Sequence, residues 1–277
     1  MKLNRIAASL ASAAALTLVA GSANATVVNV GGVTWDTSSG FDFSGQVSIY
    51  QTTTFLIGDT ISGIGVINQL NGTGSSVFCP GCELTFEFGG YSLLDNNPTD
   101  YSPAPGIDGA QYGISPPSFS PFTLGEFLFT GGWLKLYVDS TPNFSPDNVA
   151  SAIDGLLWLD LLAVDESGNN GGVTLQGDLT RLFSDGLAGQ GTGFFDAIGG
   201  LAKSNLDTNT QTGGRDLSYS SSFQPIPNSY VTPDGLTHLG TSEWVGKSTP
   251  VPEPSVLALL GVGLIGLGAA RRLKKGA

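Results

Sequence analysis

Side chains in the first half of this chain alternate strictly between apolar and polar, and that alternation is the strongest constraint on its fold. Phe41, Phe43, Val47 and Ile49 stand apart among polar neighbours, and Leu84, Phe86 and Phe88 alternate with Glu83, Thr85 and Glu87. Leu134, Leu136 and Val138 alternate in the same way with Trp133, Lys135 and Tyr137. A strand sends successive side chains to opposite faces, so each run predicts a sheet buried on one side. Leu156 to Val164 is more continuously apolar and predicts a strand covered on both faces, with a helical segment as the alternative. Gly, Asn, Ser and Pro separate these runs at short intervals, in a chain with 40 Gly and 15 Pro among 277 residues. The expectation is a mainly β body, a β-sandwich or jelly-roll-like fold.

Some segments depart from the rhythm. Asp95 to Pro121 holds six prolines and reads as a long irregular loop. Ser145 to Asp154 suits a short helix with Ser145 as N-cap and Pro146 in the first helical position. Phe194 to Leu206 is a second helical candidate, weakened by Gly199-Gly200. Ser218 to Pro250 is polar and loop-like, and its end reads as a linker.

Both ends carry targeting features. Lys2 and Arg5 precede an apolar stretch, Ile6 to Val19, and Ala23-Asn24-Ala25 forms an A-x-A cleavage site. These parts predict a signal peptide over residues 1–25, cut between Ala25 and Thr26. At the other end, Pro252-Glu253-Pro254 is followed by an uncharged apolar run, Ser255 to Ala270, and then by the basic stop Arg271, Arg272, Lys274 and Lys275. Sixteen residues of helix span about 24 Å against a hydrocarbon core of about 30 Å, so a crossing needs local thinning or snorkelling cations. Basic residues remain cytoplasmic, which places the body outside. The chain thus divides into residues 1–25, an extracellular β-rich domain over 26–250, and a C-terminal segment over 251–277.

Charge narrows the partners. Without its ends the body from Thr26 to Pro254 keeps five bases and all 23 acids, a net charge of −18. Nucleic-acid binding is excluded as an expectation, the body is expected to stay away from anionic lipid, and anionic polymers are repelled unless divalent cations bridge them.

Val251-Pro252-Glu253-Pro254, the short apolar run and the terminal basic cluster resemble the PEP-CTERM sorting signal of exported bacterial proteins. The resemblance implies recognition by an exosortase after passage through the secretion machinery. The C-terminal helix would hold the membrane only transiently, before removal near the Pro-Glu-Pro motif. A permanent C-terminal anchor is the alternative. The family is associated with Gram-negative bacteria that make exopolysaccharide, which places the product at the cell surface or in the extracellular matrix.

The inventory for chemistry is thin: one His, one Met and two Cys. Cys79-Pro80-Gly81-Cys82 fits a type II turn with Gly81 at positive φ, closing into a structural disulfide between Cys79 and Cys82. Redox catalysis and metal binding are the alternatives. The alternating strand that follows offers no helix N-terminus to stabilise a thiolate, and zinc needs further N or S ligands. His238 has no G-x-S-x-G partner and reads as a hydrogen-bonding residue. Glu83 and Glu87 lie about 13.6 Å apart along one strand face, too far to act as a glycosidase pair. Calcium is the candidate cofactor, with Asp95 and Asp100 in one oxygen-rich loop and Asp165 and Asn169 in another, although neither loop matches an EF-hand. Trp133 and Tyr137 share a face flanking Lys135. They read first as core and alternatively as a sugar-stacking platform. No residue is assigned a catalytic role, and a non-enzyme is expected.

The body also resembles the flocculation-associated group of PEP-CTERM proteins, in Phe41 to Gln51, Gly65 to Leu70, Val77 to Phe88 and Gly131 to Phe144. This resemblance implies a secreted protein that aggregates cells by contact with exopolysaccharide or neighbouring cells. A carbohydrate-binding module and a polysaccharide-active enzyme are the alternatives.

Overall fold

The structure, a computed structural model, describes residues 27–40, 42–53, 58–94, 107–108, 113–114, 125–183 and 186–249. The signal peptide, Asp95, Asp100 and the C-terminal segment from 250 onward lie outside them. The strands are β1 (Val27–Val30), β2 (Val33–Asp36), β3 (Ser44–Gln51), β4 (Thr60–Leu70), β5 (Thr73–Gly74), β6 (Glu83–Leu93), β7 (Ile107–Asp108) and β8 (Gly113–Ile114). They continue as β9 (Gly125–Asp139), β10 (Leu156–Val164), β11 (Leu175–Phe183), β12 (Gly186–Gly199), β13 (Leu217–Pro225) and β14 (His238–Gly246).

Antiparallel pairing runs β9-β6-β4-β3-β14-β13-β12-β11, and β11 returns to β9. The result is a closed eight-stranded barrel, where the sequence suggests a sandwich or jelly roll. Alternation reports only that each strand has one buried face. Whether that face meets a second sheet or curls onto itself depends on pairings between distant strands. β10 shares a slot with β11. It pairs with Trp133–Val138 of β9 and with the far half of β12, whereas β11 pairs with Gly125–Phe129 and the near half.

The interior is aromatic and is packed onto glycine. Phe86, Phe88, Tyr91, Phe195, Tyr219 and Trp244 point inward, with Phe195 stacked on Tyr219 at 4.6 Å and Trp244 edge-on to Phe86 at 5.1 Å. The neighbouring strands leave room by presenting glycine: an added Cβ would stand 2.7 Å from the Phe88 ring at Gly63 and 2.6 Å from the Tyr219 hydroxyl at Gly193. Small cavities of about 50 and 60 Å³ remain among the described residues. Outward positions are largely Ser, Thr, Gln and Asn, the reverse of a membrane-spanning barrel, which is apolar outside. Among the described residues no helix is long and apolar enough to cross a membrane.

The β1–β2 hairpin closes one end. Trp35 meets Phe43 at 5.9 Å and Trp158 at 5.7 Å, and the Trp158 indole N–H donates to the Val30 carbonyl at 2.9 Å. A smaller core lies outside the barrel, where Ala152 and Leu236 from two connections cover Ile64 on β4.

Three local expectations change. Phe194 to Gly199 is the end of β12, and only Lys203–Leu206 makes a helical turn. The stretch from Ser145 forms an isolated bridge to Asn148 and then a single 3-10 turn, Val149–Ala152, because Ser151 directs its hydroxyl back to the Asn148 carbonyl. Ser218 to Pro250 is mostly barrel wall, β13 and β14, in which Ser218, Ser220 and Ser222 face outward and Tyr219, Phe223 and Trp244 face in. Of Asp95 to Pro121, only β7 and β8 are described.

The buried tyrosines set an alkaline limit. Tyr219 donates to Tyr91 across 3.3 Å, and burial pushes both phenols up, Tyr91 well above its ordinary 10.0. Folded values above the unfolded one give stability that is complete below pH 10.0 and lost as pH rises through the folded values. Phenolate absorbance should therefore show two tyrosines titrating only as the barrel unfolds, and Tyr219→Phe should move the alkaline midpoint upward.

Candidate functional site

The outer face of β9 carries Trp133, Lys135 and Tyr137, all half-buried. They project away from the barrel interior, which corrects the reading of them as core: the inward positions are Leu134, Leu136 and Val138. The Trp133 indole lies over Gly89 and Gly90, where an added Cβ would come within 3.1 Å of it. Lys135 sits 5.1 Å from the Trp133 ring centroid, and the Tyr137 hydroxyl donates to Glu87 at 2.6 Å. Burial, and then the Glu87 carboxylate, pushes the Tyr137 phenol up. The row combines an apolar indole face, a cation and a fixed phenol–carboxylate pair, chemistry suited to stacking and hydrogen bonding with a sugar ring.

Around the barrel, the outer faces of β11 to β14 and β3 form two adjoining open grooves of about 770 and 780 Å³. Thr192, Ser220, Ser222, Thr241, Gln46 and Glu243 line them. Sequence reading missed this surface because Ser218 to Pro250 reads as loop. Its signal was there: Ser218, Ser220 and Ser222 alternate with Tyr219 and Phe223.

The remaining candidates are separate from both surfaces or take structural roles. Asp165 accepts the backbone N–H groups of Ser167 and Asn169 at 2.8 Å each, and Asn169 accepts that of Gly171 at 3.0 Å. These oxygens shape the turn between β10 and β11, and Arg215 lies against Gly168 of that turn, paired with Asp196. Among the described residues no group of three or more His, Cys, Asp or Glu is placed to hold a metal ion. Glu83 is buried and accepts the N–H groups of Asn143 and Phe144, whereas Glu87 faces Tyr137, so the two carboxylates work apart. His238 is buried in β14, where its ring bonds Thr237 at 2.9 Å and meets Phe223 edge-on.

Cys79 and Cys82 are disulfide-bonded across a turn in which the Cys82 N–H donates to the Cys79 carbonyl at 3.0 Å and Gly81 has φ of +78°. The bridge lies beside Gly32 at the tip of the β1–β2 hairpin. A loop this short gains little entropy, so Cys79→Ser with Cys82→Ser should cost about 2 kcal/mol, measured as a lowered urea midpoint.

The chain's exit from the barrel is a further feature that the sequence did not announce. The Ser248 N–H donates to Asp42 at 2.9 Å, its hydroxyl donates to the other Asp42 oxygen at 2.7 Å, and the Trp35 indole N–H donates to that hydroxyl at 2.8 Å. Thr249 and Asn205 exchange two more bonds of 2.8 and 2.9 Å. The body therefore holds the chain up to the residue before position 250, where a family match begins. Residues 250–272 match the model of the PEP-CTERM protein-sorting motif. This is a protein with a PEP-CTERM sorting motif. The motif marks it as exported, passing the membrane and sorted by an exosortase. No curated protein and no solved structure matches the chain.

Proposed function

We propose that this PEP-CTERM protein is a non-enzymatic component of the extracellular matrix of a Gram-negative bacterium, where it promotes flocculation by contact with exopolysaccharide. The sorting motif carries the reading, since it marks the barrel as exported. The outer surface supports it. The grooves offer hydroxyls, amides and the carboxylates of Asp165, Glu166, Asp178 and Glu243, a set that hydrogen-bonds polyols, and the Trp133 row adds an aromatic face. With a body charge of −18, neutral glycans suit it better than anionic ones.

Deleting the gene in its host and measuring settling, with exopolysaccharide quantified alongside, tests the role. Dispersed cells with normal polysaccharide are expected, and unchanged flocs contradict it. For direct contact, purified protein should be retained on matrix polysaccharide and lose that retention on Trp133→Ala. Release of reducing ends by the purified protein would overturn the non-enzymatic part.

A further inference from the structure

The clamp on Ser248 and Thr249 leaves a short tether. Residues 250–254 separate Thr249 from the uncharged run Ser255 to Ala270, and five extended residues reach at most about 18 Å. The polar interface on each side of a bilayer's hydrocarbon core is itself about 5 to 7 Å thick. Once that run is inserted, the barrel end from which the chain leaves must stand against the membrane.

That end is well defined. β4, β9, β12 and β14 finish there, β13 begins there, and the β1–β2 hairpin caps it. Val27, the first described residue, belongs to the same cap. Exposed apolar side chains gather along its rim: Leu156 is 68% exposed, Leu201 51%, Ile198 49%, Ile153 40% and Leu157 37%. Leu157 and Leu201 adjoin, for the Leu201 N–H donates to the Leu157 carbonyl, and the Leu201 side chain reaches Gly31 at the hairpin tip; the exposed Asp154 stands in the chain between Ile153 and Leu156. Single exposed leucines are ordinary on a soluble surface, but a contiguous group marks an interaction face. Lys247 and Lys203, the latter paired with Asp207 at 3.7 Å, are also at this end, together with Asp139 and Asp154.

We propose that the capped end is a membrane-resting face, on which Ile153, Leu156, Leu157, Ile198 and Leu201 enter the lipid interface while the C-terminal run is in the bilayer. The face holds the motif at a fixed height above the membrane before processing. This inference rests on the sorting-motif reading, in which the terminal run enters the bilayer.

Both cysteines are in the disulfide, so single labelling sites can be introduced. The full chain would be placed in nanodiscs of phosphatidylethanolamine with a minority of phosphatidylglycerol and a nickel-chelating headgroup lipid. Spin labels would be attached through Leu156→Cys, Leu201→Cys or Gln224→Cys. Gln224 is exposed at the opposite end, about 24 Å along β13 from Leu217. Nickel relaxation several-fold stronger at positions 156 and 201 than at 224 is expected. Equal relaxation, or stronger relaxation at 224, overturns the face while leaving the tail inserted. Failure of the chain to co-elute with the nanodiscs overturns both the face and the insertion on which it rests.

Discussion

Gly65→Ala is expected to destabilise the barrel by about 3 kcal/mol or more. The added Cβ would overlap both the Phe86 ring and the Ser48 carbonyl oxygen on the neighbouring strand. A ring can turn aside, but a paired backbone carbonyl cannot move without opening the β3–β4 ladder. Combining Gly65→Ala with Phe86→Leu should therefore recover only part of the loss. Gly74→Ala is the control, since nothing lies within 4 Å of a Cβ added there, and it should change stability by less than about 0.5 kcal/mol. Urea unfolding of the three variants separates the outcomes.

Asp216→Ala should be nearly as damaging, costing about 3 to 5 kcal/mol. The buried carboxylate accepts three backbone N–H groups: Ala197 at 2.8 Å, and Thr208 and Asn209 at 2.7 Å each. It joins the end of β12, the connection after it and the start of β13. Alanine would leave those donors without their acceptor, with the Ala197 N–H buried away from water. Asp216→Asn, which keeps one oxygen and the shape, should recover part of the loss by the same urea measurement. Asp42 and Glu83 work in a similar way at other connections, Glu83 accepting the N–H groups of Asn143 and Phe144 and Asp42 the N–H and hydroxyl of Ser248. Several of this protein's few buried charges thus hold loops.

These two sites also mark what the sequence does and does not display. Phe86 and Leu136 announce their strands because burial on one face imposes alternation, and Pro80-Gly81 announces its turn because only glycine takes positive φ without strain. Gly65 gives no such signal: in sequence it reads as a flexible residue, and only the ring lying on it shows that it makes space. Closure into a barrel was equally silent, since it is settled by β12 meeting β13 and β11 meeting β9. The serines of β13 misled because Ser is common in turns, although the alternating Tyr219 and Phe223 carried the strand pattern. Trp133 was placed on a shared face with Tyr137, but alternation cannot say which face looks outward. The sorting motif was fully legible because it is read as linear sequence, and its family match begins one residue beyond the Thr249 clamp.

Intact-mass spectrometry of the protein recovered outside host cells tests the central claim, that this is an exported barrel processed at both ends. A chain that starts at Thr26 and has lost everything beyond the Pro252-Glu253-Pro254 region is expected. A mass that retains Leu273 to Ala277 would contradict it.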